Sequence, residues 1–383
     1  AGRWSPAFDT AVWKYLAPRL DRPWEEAPSD RVHLINALLD LRGGQKVLVD
    51  ASPNFKFVNK LPVIYDPRAQ PTEWERFFAY SMTPEVLDVL WEVLAWLTFS
   101  LKDVNAIVCL HGEAGSGKSR VLNAIRAFIG EENLLVVSKN DLEGNRFMKQ
   151  HISYKLCVMY DDLPAAQGSD NGVLKMIADR SAMMTDVKFG RPQWVVNYAN
   201  CLFAANWVPR SVDTSDGFFD RWNLLPMKKR MRFTDQQVVA TEIDRLLSQP
   251  EQLSGVLNRV LEARERIMGP VNKMHFSQPQ ALKDAQAQFR QEVDPILQWF
   301  YSRLEERQGA QLKVSDCHSD YLLWCERRRV QNKASVEIFG RVVLDHVKVR
   351  GLKMQKVRAR DSRGLQVSHW RGVDWKVGTL PNQ

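Results

Sequence analysis

Residues 112–119 read Gly-Glu-Ala-Gly-Ser-Gly-Lys-Ser, a complete G-x-x-x-x-G-K-[ST] pattern, and the apolar run at 106–110 (Ala-Ile-Val-Cys-Leu) leads directly into it. Few local patterns constrain a fold as much. A buried strand must deliver the chain, small residues must let successive backbone N–H groups turn inward, and a helix must start at once so that its positive end faces the same point. That helix is expected over 118–129. The chemistry suits a nucleoside polyphosphate: Gly112, Gly115, Ser116 and Gly117 cradle it with backbone amides, Lys118 reaches the β- and γ-phosphates, and the Ser119 hydroxyl ligates Mg²⁺. ATP and Mg²⁺ are the expected cofactors.

The surroundings extend this to a fold class. Near-continuous apolar runs predict strands at 106–111, 133–138, 155–161, 199–205 and 222–227, alternating with helical stretches. Such runs belong to strands covered on both faces, and the alternation predicts an α/β fold with a parallel sheet flanked by helices. Between the third and fourth strands, 185–197 alternates around Gly190, Arg191 and Pro192, which reads as a hairpin tip. Ahead of the sheet, Thr83 and Pro84 open a helix whose apolar face is Val86, Leu87, Leu90, Val93, Leu94 and Leu97. Residues 235–268 are expected to be helical.

The expected organisation is a mostly helical N-terminal collar (1–100), an ATPase domain (101–268), a linker (269–288) holding Pro270 and Pro279, and a basic C-terminal domain (289–383). In the last, helices are expected from Asp294-Pro295 to about Arg307, from about Ser315 to Arg329, and from a Ser335 cap to about Val347. An alternating stretch over 352–376 with a turn at 360–364 follows. Three helices and a basic hairpin describe a winged helix, with the helix after Ser335 as groove reader and Arg341 and Lys348 as candidate DNA contacts.

Charge follows the same division. Of 53 Lys+Arg and 45 Asp+Glu, residues 311–383 hold 15 and 7, so the first 310 residues carry 38 of each sign and the whole excess of +8 lies in the tail. A basic terminal segment points to a phosphate-backbone partner. The five cysteines are odd in number and contain no C-x-x-C, so they read as reduced thiols, and no stretch approaches twenty uninterrupted apolar residues, so a soluble, cytoplasmic protein with no membrane partner is expected.

The third expected strand ends in Asp161-Asp162. Asp161 is placed to hold Mg²⁺ through water and Asp162 to accept a proton from the attacking water. The fourth ends in Asn206, an amide that can orient that water. Arg221, at the start of the last strand, is the candidate guanidinium that a neighbouring subunit supplies in ring ATPases. Lys188 and Arg191, beside Phe189 and Trp194 on the hairpin, suit a single-stranded backbone.

In order and spacing these elements resemble the superfamily 3 helicases, specifically the poxvirus-type primase-helicases of phages, plasmids and large DNA viruses. The resemblance spans nearly the whole chain. Ser52-Pro53-Asn54-Phe55 with 61–67 (Leu-Pro-Val-Ile-Tyr-Asp-Pro) is similar to the family's segment ahead of the ATPase. Residues 112–119 match motif A, Asp161-Asp162 motif B, Lys188-Phe189-Gly190 with Val196-Asn197 the pore hairpin, Asn206 with Pro209 motif C, and Arg221 the arginine finger. In the tail, Tyr321 to Cys325, Ser335, Phe339-Gly340 and Trp370 to Trp375 resemble the family's winged-helix region. The family often shows two adjacent arginines at the finger, whereas Trp222 follows Arg221 here.

The resemblance implies an AAA+-like fold in a homo-oligomeric ring, a hexamer, translocating 3′ to 5′ on single-stranded and forked DNA. No D-x-D pair with a downstream His precedes residue 100, so it implies a helicase portion of a longer polypeptide or a stand-alone helicase, with any primase or polymerase in the same polypeptide or in trans; a host cytoplasm is implied if the chain is viral. Two other classes fit the phosphate loop. One is an ATPase that remodels or packages DNA, which usually lacks the hairpin; the other is a nucleotide-switched origin-binding protein, which does not need both acids.

Overall fold

The computed structural model describes residues 28–50, 58–101, 103–145, 147–160, 172–186, 192–195, 197–206, 216–228, 240–328, 330, 333–360 and 364–378. The chain divides into two compact units, one of 1–164, 171–207 and 220–282, the other of 165–170, 208–219 and 283–383.

The described part of the first unit starts with three short strands, β1 (Arg31–His33), β2 (Leu38–Asp40) and β3 (Val47–Val49), in an antiparallel sheet of that order. The region expected to be mostly helical thus contains a small sheet among its described residues. Strands of three residues carry no readable period, which is why the pattern missed them. Two helices follow, α1 (Thr72–Ser81) and α2 (Pro84–Thr98). Thr83 supplies the extended N-cap backbone of α2 and Pro84 its first position, although the Thr83 side chain makes no capping bond. Val86, Val89, Leu90, Val93, Leu94 and Leu97 are fully buried, so α2 is a core helix rather than an amphipathic cover.

A five-stranded, all-parallel sheet forms the centre: β4 (Ile107–His111), β5 (Leu134–Val136), β6 (Cys157–Tyr160), β9 (Asn200–Ala205) and β10 (Trp222–Pro226), ordered β10-β4-β9-β6-β5. All five strands lie where the apolar runs predict them. Every residue of β6 and β9 is buried, as expected of a parallel sheet covered on both faces. Around it lie α3 (Lys118–Ile129), α4 (Lys139–Gly144), α5 (Gly172–Ala178), α7 (Ala240–Leu247) and α8 (Pro250–Met268), while α6 (Asp216–Arg221) crosses from the second unit into the first and leads directly into β10. The helix expected over 235–268 is therefore two. Pro250 cannot continue the preceding helix because it has no N–H, yet it suits the first turn of the next; 235–239 lie outside the described residues. The hairpin strands β7 (Met183–Thr185) and β8 (Gln193–Val195) pair antiparallel, with the tip outside the described residues.

A buried polar network fastens the segment ahead of the sheet to its β5 edge. Asn59 Nδ2 donates to Asn133 Oδ1 (3.0 Å) and Tyr154 O (2.8 Å), Tyr198 Oη donates to Asn59 Oδ1 (2.7 Å), and Asn133 Nδ2 donates to Lys60 O (2.8 Å). Glu92, buried on α2, accepts from both the amide and the hydroxyl of Ser277 (2.7 Å each). A buried carboxylate needs such donors to stay in place.

Across the expected end of the linker at 288, α9 runs from Gln280 to Val293. The second unit continues with α10 (Pro295–Arg303), β11 (Leu304–Lys313), α11 (Val314–Arg327), α12 (Val336–Arg350), β12 (Gln355–Arg360) and β13 (Gln366–Trp375). Asp294 and Ser335 cap α10 and α12 with their side chains. The helix expected to reach Arg307 stops at Arg303. Residues 304–313 instead form β11, which pairs with β13 in the antiparallel order β11-β13-β12 and shifts register between Glu306 and Gln311. Glu, Gln and Arg favour helices locally, so tertiary pairing overrides propensity here. The core is aromatic: Trp299, Tyr321, Phe339 and Trp370 are buried, and Trp299 Nε1 donates to the buried Asp320 (2.8 Å).

The five cysteines are buried and unpaired. No described helix is long and apolar enough to cross a membrane.

Candidate functional site

The phosphate loop leaves β4 at its C-terminal end. Ser116 N donates to Glu113 O (3.2 Å), and Gly115 and Gly117 take φ of 83° and 94°, a region that L side chains rarely adopt. Gly112 is fixed for another reason: a Cβ there would lie 2.8 Å from Met227 Cβ. The loop closes over the Lys118 ammonium, which donates to Gly112 O (2.7 Å), Glu113 O (2.9 Å) and Ser116 Oγ (3.4 Å) and is 8% exposed. Ser119 is exposed on the first turn of α3, whose leading amides have no i−4 carbonyl to bond. A cation held inside a glycine-containing turn, at a helix N-terminus, is a donor set that fits a polyphosphate. Behind α3, Arg120 and Asn123 both bond the Asp244 carboxylate on α7.

Neighbouring strands bring the next groups to this edge. Gly112 N donates to Ala205 O (3.3 Å) and Met227 N to His111 O (2.7 Å), so Asn206, which follows β9 and is half-buried, stands beside the start of the loop. Asp161 and Asp162 lie outside the described residues; the strand they follow, β6, pairs with β9 and ends at Tyr160. Below the loop, burial pushes the Cys109 thiol up to about 12, and Cys157 and Cys201 are raised for the same reason. These are packing groups, not nucleophiles.

Arg221 is placed differently. It precedes β10, whose first residue Trp222 pairs with Ile107 at the start of β4. Because the strands are parallel, Arg221 lies at the edge opposite its own phosphate loop, and five residues of strand put about 15 Å between the two ends. There its Nε donates to Asp179 Oδ1 (2.8 Å) and its Nη2 to Asp179 Oδ2 (3.0 Å), a two-pronged pair with each side chain 25% exposed. The sequence reading missed Asp179. No spacing rule links it to Arg221, since the fold alone joins the end of α5 to the start of β10.

On the hairpin, Met184 pairs with Trp194, and both are exposed, at 58% and 69%. Lys188 and Arg191 lie outside the described residues. In the second unit, Arg341 and Lys348 are exposed on α12, and Lys356, Arg358 and Arg360 alternate along the edge strand β12, all exposed. His346 is buried on α12 with its Nε2 2.7 Å from Tyr301 Oη; burial, then Arg350 and Arg290, lower its pKa to about 4, so it anchors the helix as a neutral ring.

Residues 110–221 match the model of a family described as a family of unknown function (DUF5906). No curated protein matches the chain. Among solved structures the chain is similar to the apo structure of the NrS-1 C-terminal region (305–718), at 12% identity over 96% of this chain and 90% of that one, with a TM-score of 0.46. It is similar also to an A-form apo structure of the NrS-1 C-terminal region, at 12% identity over 96% and 90%, with a TM-score of 0.41.

Proposed function

We propose that this chain is an ATP-hydrolysing, ring-forming DNA helicase that moves along a single strand. The reading is carried by the phosphate loop, which closes around the Lys118 ammonium at the C-terminal end of β4, with β9 and β10 on either side. Mg²⁺-ATP would bring the transferable phosphoryl group and the metal charge. On this reading Gly112, Gly115, Ser116, Gly117 and Lys118 hold the phosphates, and Ser119 and Asp161 hold the metal. Asp162 takes the proton of the attacking water, and Asn206 orients that water.

Arg221 completes the site of the adjacent subunit. Its position at the opposite strand edge keeps it from its own loop, as a homo-oligomeric ring requires of a group supplied to a neighbour. Lys188 and Arg191 contact single-stranded DNA. The second unit runs helix, strand, helix, helix, hairpin, the order of a winged helix; α12 would read duplex ahead of a fork through Arg341 and Lys348. A primase or polymerase activity would be supplied by a longer polypeptide or in trans.

The test is ATP hydrolysis and strand displacement on forked DNA, with particle mass measured alongside. Wild-type protein is expected to assemble, hydrolyse and displace. A protein that binds ATP but neither hydrolyses it nor displaces a strand at any loading would overturn the proposal.

A further inference from the structure

The sheet of the second unit changes character along one face. Directly opposed residues of an antiparallel pair point to the same side, and so do alternate residues along a strand. Lys356 opposes Trp370, Arg358 opposes Ser368 and Arg360 opposes Gln366, so these side chains share a face. At Trp370 that face is core: the indole is buried, Leu312 of β11 opposes it, and the ring of Phe339 on α12 lies 5.4 Å away, centre to centre. At the same rung Lys356 already projects to solvent, and two and four residues further along β12 the face carries Arg358 and Arg360, all exposed. The other face carries Val357, Ala359 and Val367, all half-buried.

A sheet that packs on a helix normally keeps its charges on the side away from it. Here three cations stand on the packed side, about 7 Å apart along the strand. Among the described residues Lys356, Arg358 and Arg360 make no hydrogen bond or ion pair. Neither 355–360 nor 366–371 contains an acidic residue, and the connecting 361–365 adds one charge of each sign, Asp361 and Arg363. On α12, by contrast, the exposed Arg341 and Lys348 alternate with the exposed Glu337 and Asp345. Because β12 is an outer strand of its sheet, charge there also guards the edge against other strands. Charges of either sign serve that purpose, and all three are positive. Like charges in a row repel one another, and a long anion laid along them relieves the repulsion.

We propose that this face of β12 is a rail for the sugar-phosphate backbone of duplex DNA, gripped through Lys356, Arg358 and Arg360 without regard to sequence. It deepens the proposed DNA-binding role of the second unit and rests on it. Duplex follows from the described surface of that unit. Binding of unpaired bases uses exposed aromatic rings as stacking platforms. The large apolar side chains exposed among the described residues of this unit are Leu323, Val336, Ile338, Leu365 and Val377, none of them aromatic. Cations without rings contact phosphates, and phosphates carry no base identity. Trp194 of the first unit, 69% exposed, is the contrasting case.

The experiment measures binding of the full chain to a blunt duplex of random sequence, to one of its strands alone, and to phosphatidylserine vesicles, each over a salt series. The variants are Lys356→Gln, Arg358→Gln and Arg360→Gln, singly and together, with Arg358→Lys as the conservative change. Wild-type affinity for the duplex should fall linearly with salt on logarithmic axes. The triple variant should keep its melting temperature and bind duplex roughly ten- to a hundred-fold more weakly at low salt. It should lose about two to three units of slope, near one for each phosphate contact. Each single change should remove about one unit, which decides the matter should the triple variant fail to fold. Arg358→Lys should keep the wild-type slope, because a phosphate rail needs the charge and not the guanidinium fork. Affinity for the single strand should change by less than about two-fold.

An unchanged duplex slope in the triple variant overturns the proposal and leaves the row as edge protection only. Equal losses on duplex and single strand overturn it as well, since the face then grips any nucleic-acid chain. A loss confined to the vesicles overturns it and assigns the face to an anionic membrane. If wild type binds no duplex at any salt, the proposal falls together with the DNA-binding reading of the second unit. If Arg341→Ala and Lys348→Ala lower the slope while the triple variant keeps it, that reading stands and the rail alone falls.

Discussion

The two edges of the parallel sheet are built by opposite means. At the C-terminal edge, position comes from backbone: two glycines at positive φ, a glycine with no room for a Cβ, and a helix that starts where the loop ends. At the N-terminal edge it comes from side chains, with Arg180, Asn197 and Asn200 clamping a strained turn so that Asp179 meets Arg221. A backbone cradle accepts any ligand with the right oxygens and works within one chain. A side-chain clamp fixes one particular pair of groups, here Asp179 and Arg221.

The largest effect should come from the first edge. Lys118→Ala is expected to abolish ATP hydrolysis, because the loop is built around that ammonium and no described neighbour can replace it. Detectable steady-state phosphate release would mean that the edges do not divide labour as argued. Arg221→Ala should bind ATP and assemble, yet lose on the order of 10³-fold in turnover, and should recover partial activity when mixed with Lys118→Ala. If both edges served one subunit, no mixture could recover.

Gly112→Ala sharpens the contrast within the loop. Its Cβ would meet Met227 Cβ at 2.8 Å, so the loop or the end of β10 must shift, at a cost of about 1–3 kcal/mol in thermal or denaturant unfolding. The same change at Gly144, where nothing lies within 4 Å of the added carbon, should be close to neutral. The smallest effect concerns neither edge: Lys348→Ala on α12 should leave basal hydrolysis unchanged and lower the salt dependence of DNA binding by about one unit of slope. An unchanged slope would remove α12 from the DNA surface.

The first edge was legible in the sequence because its means are local. Glycine spacing, an apolar run and a following helix are all read within about twenty residues, and β4, β6 and β9 announce themselves by unbroken apolar runs. The second edge was legible only as a lone Arg221. Asp179, Arg180 and Asn200 follow no period or motif, and their partners come from distant segments. The β11 strand was unreadable for a different reason: Glu305, Glu306, Arg307 and Gln308 are exposed helix formers, and only pairing with β13 makes them a strand. The short β1–β3 meander likewise owes its form to its neighbours.

The strand order has a kinetic consequence as well as a geometric one. The strand that carries the phosphate loop has no partner from its own part of the chain. Ile107 pairs with Cys201 on one side and Trp222 on the other, each about a hundred residues later, and such closures raise contact order and slow folding. During synthesis the loop's residues emerge early but stay without their scaffold until 226 has left the ribosome. Nucleotide affinity should therefore arrive late and abruptly in a series of chains lengthened from the N-terminus, appearing with β10 rather than with the loop itself.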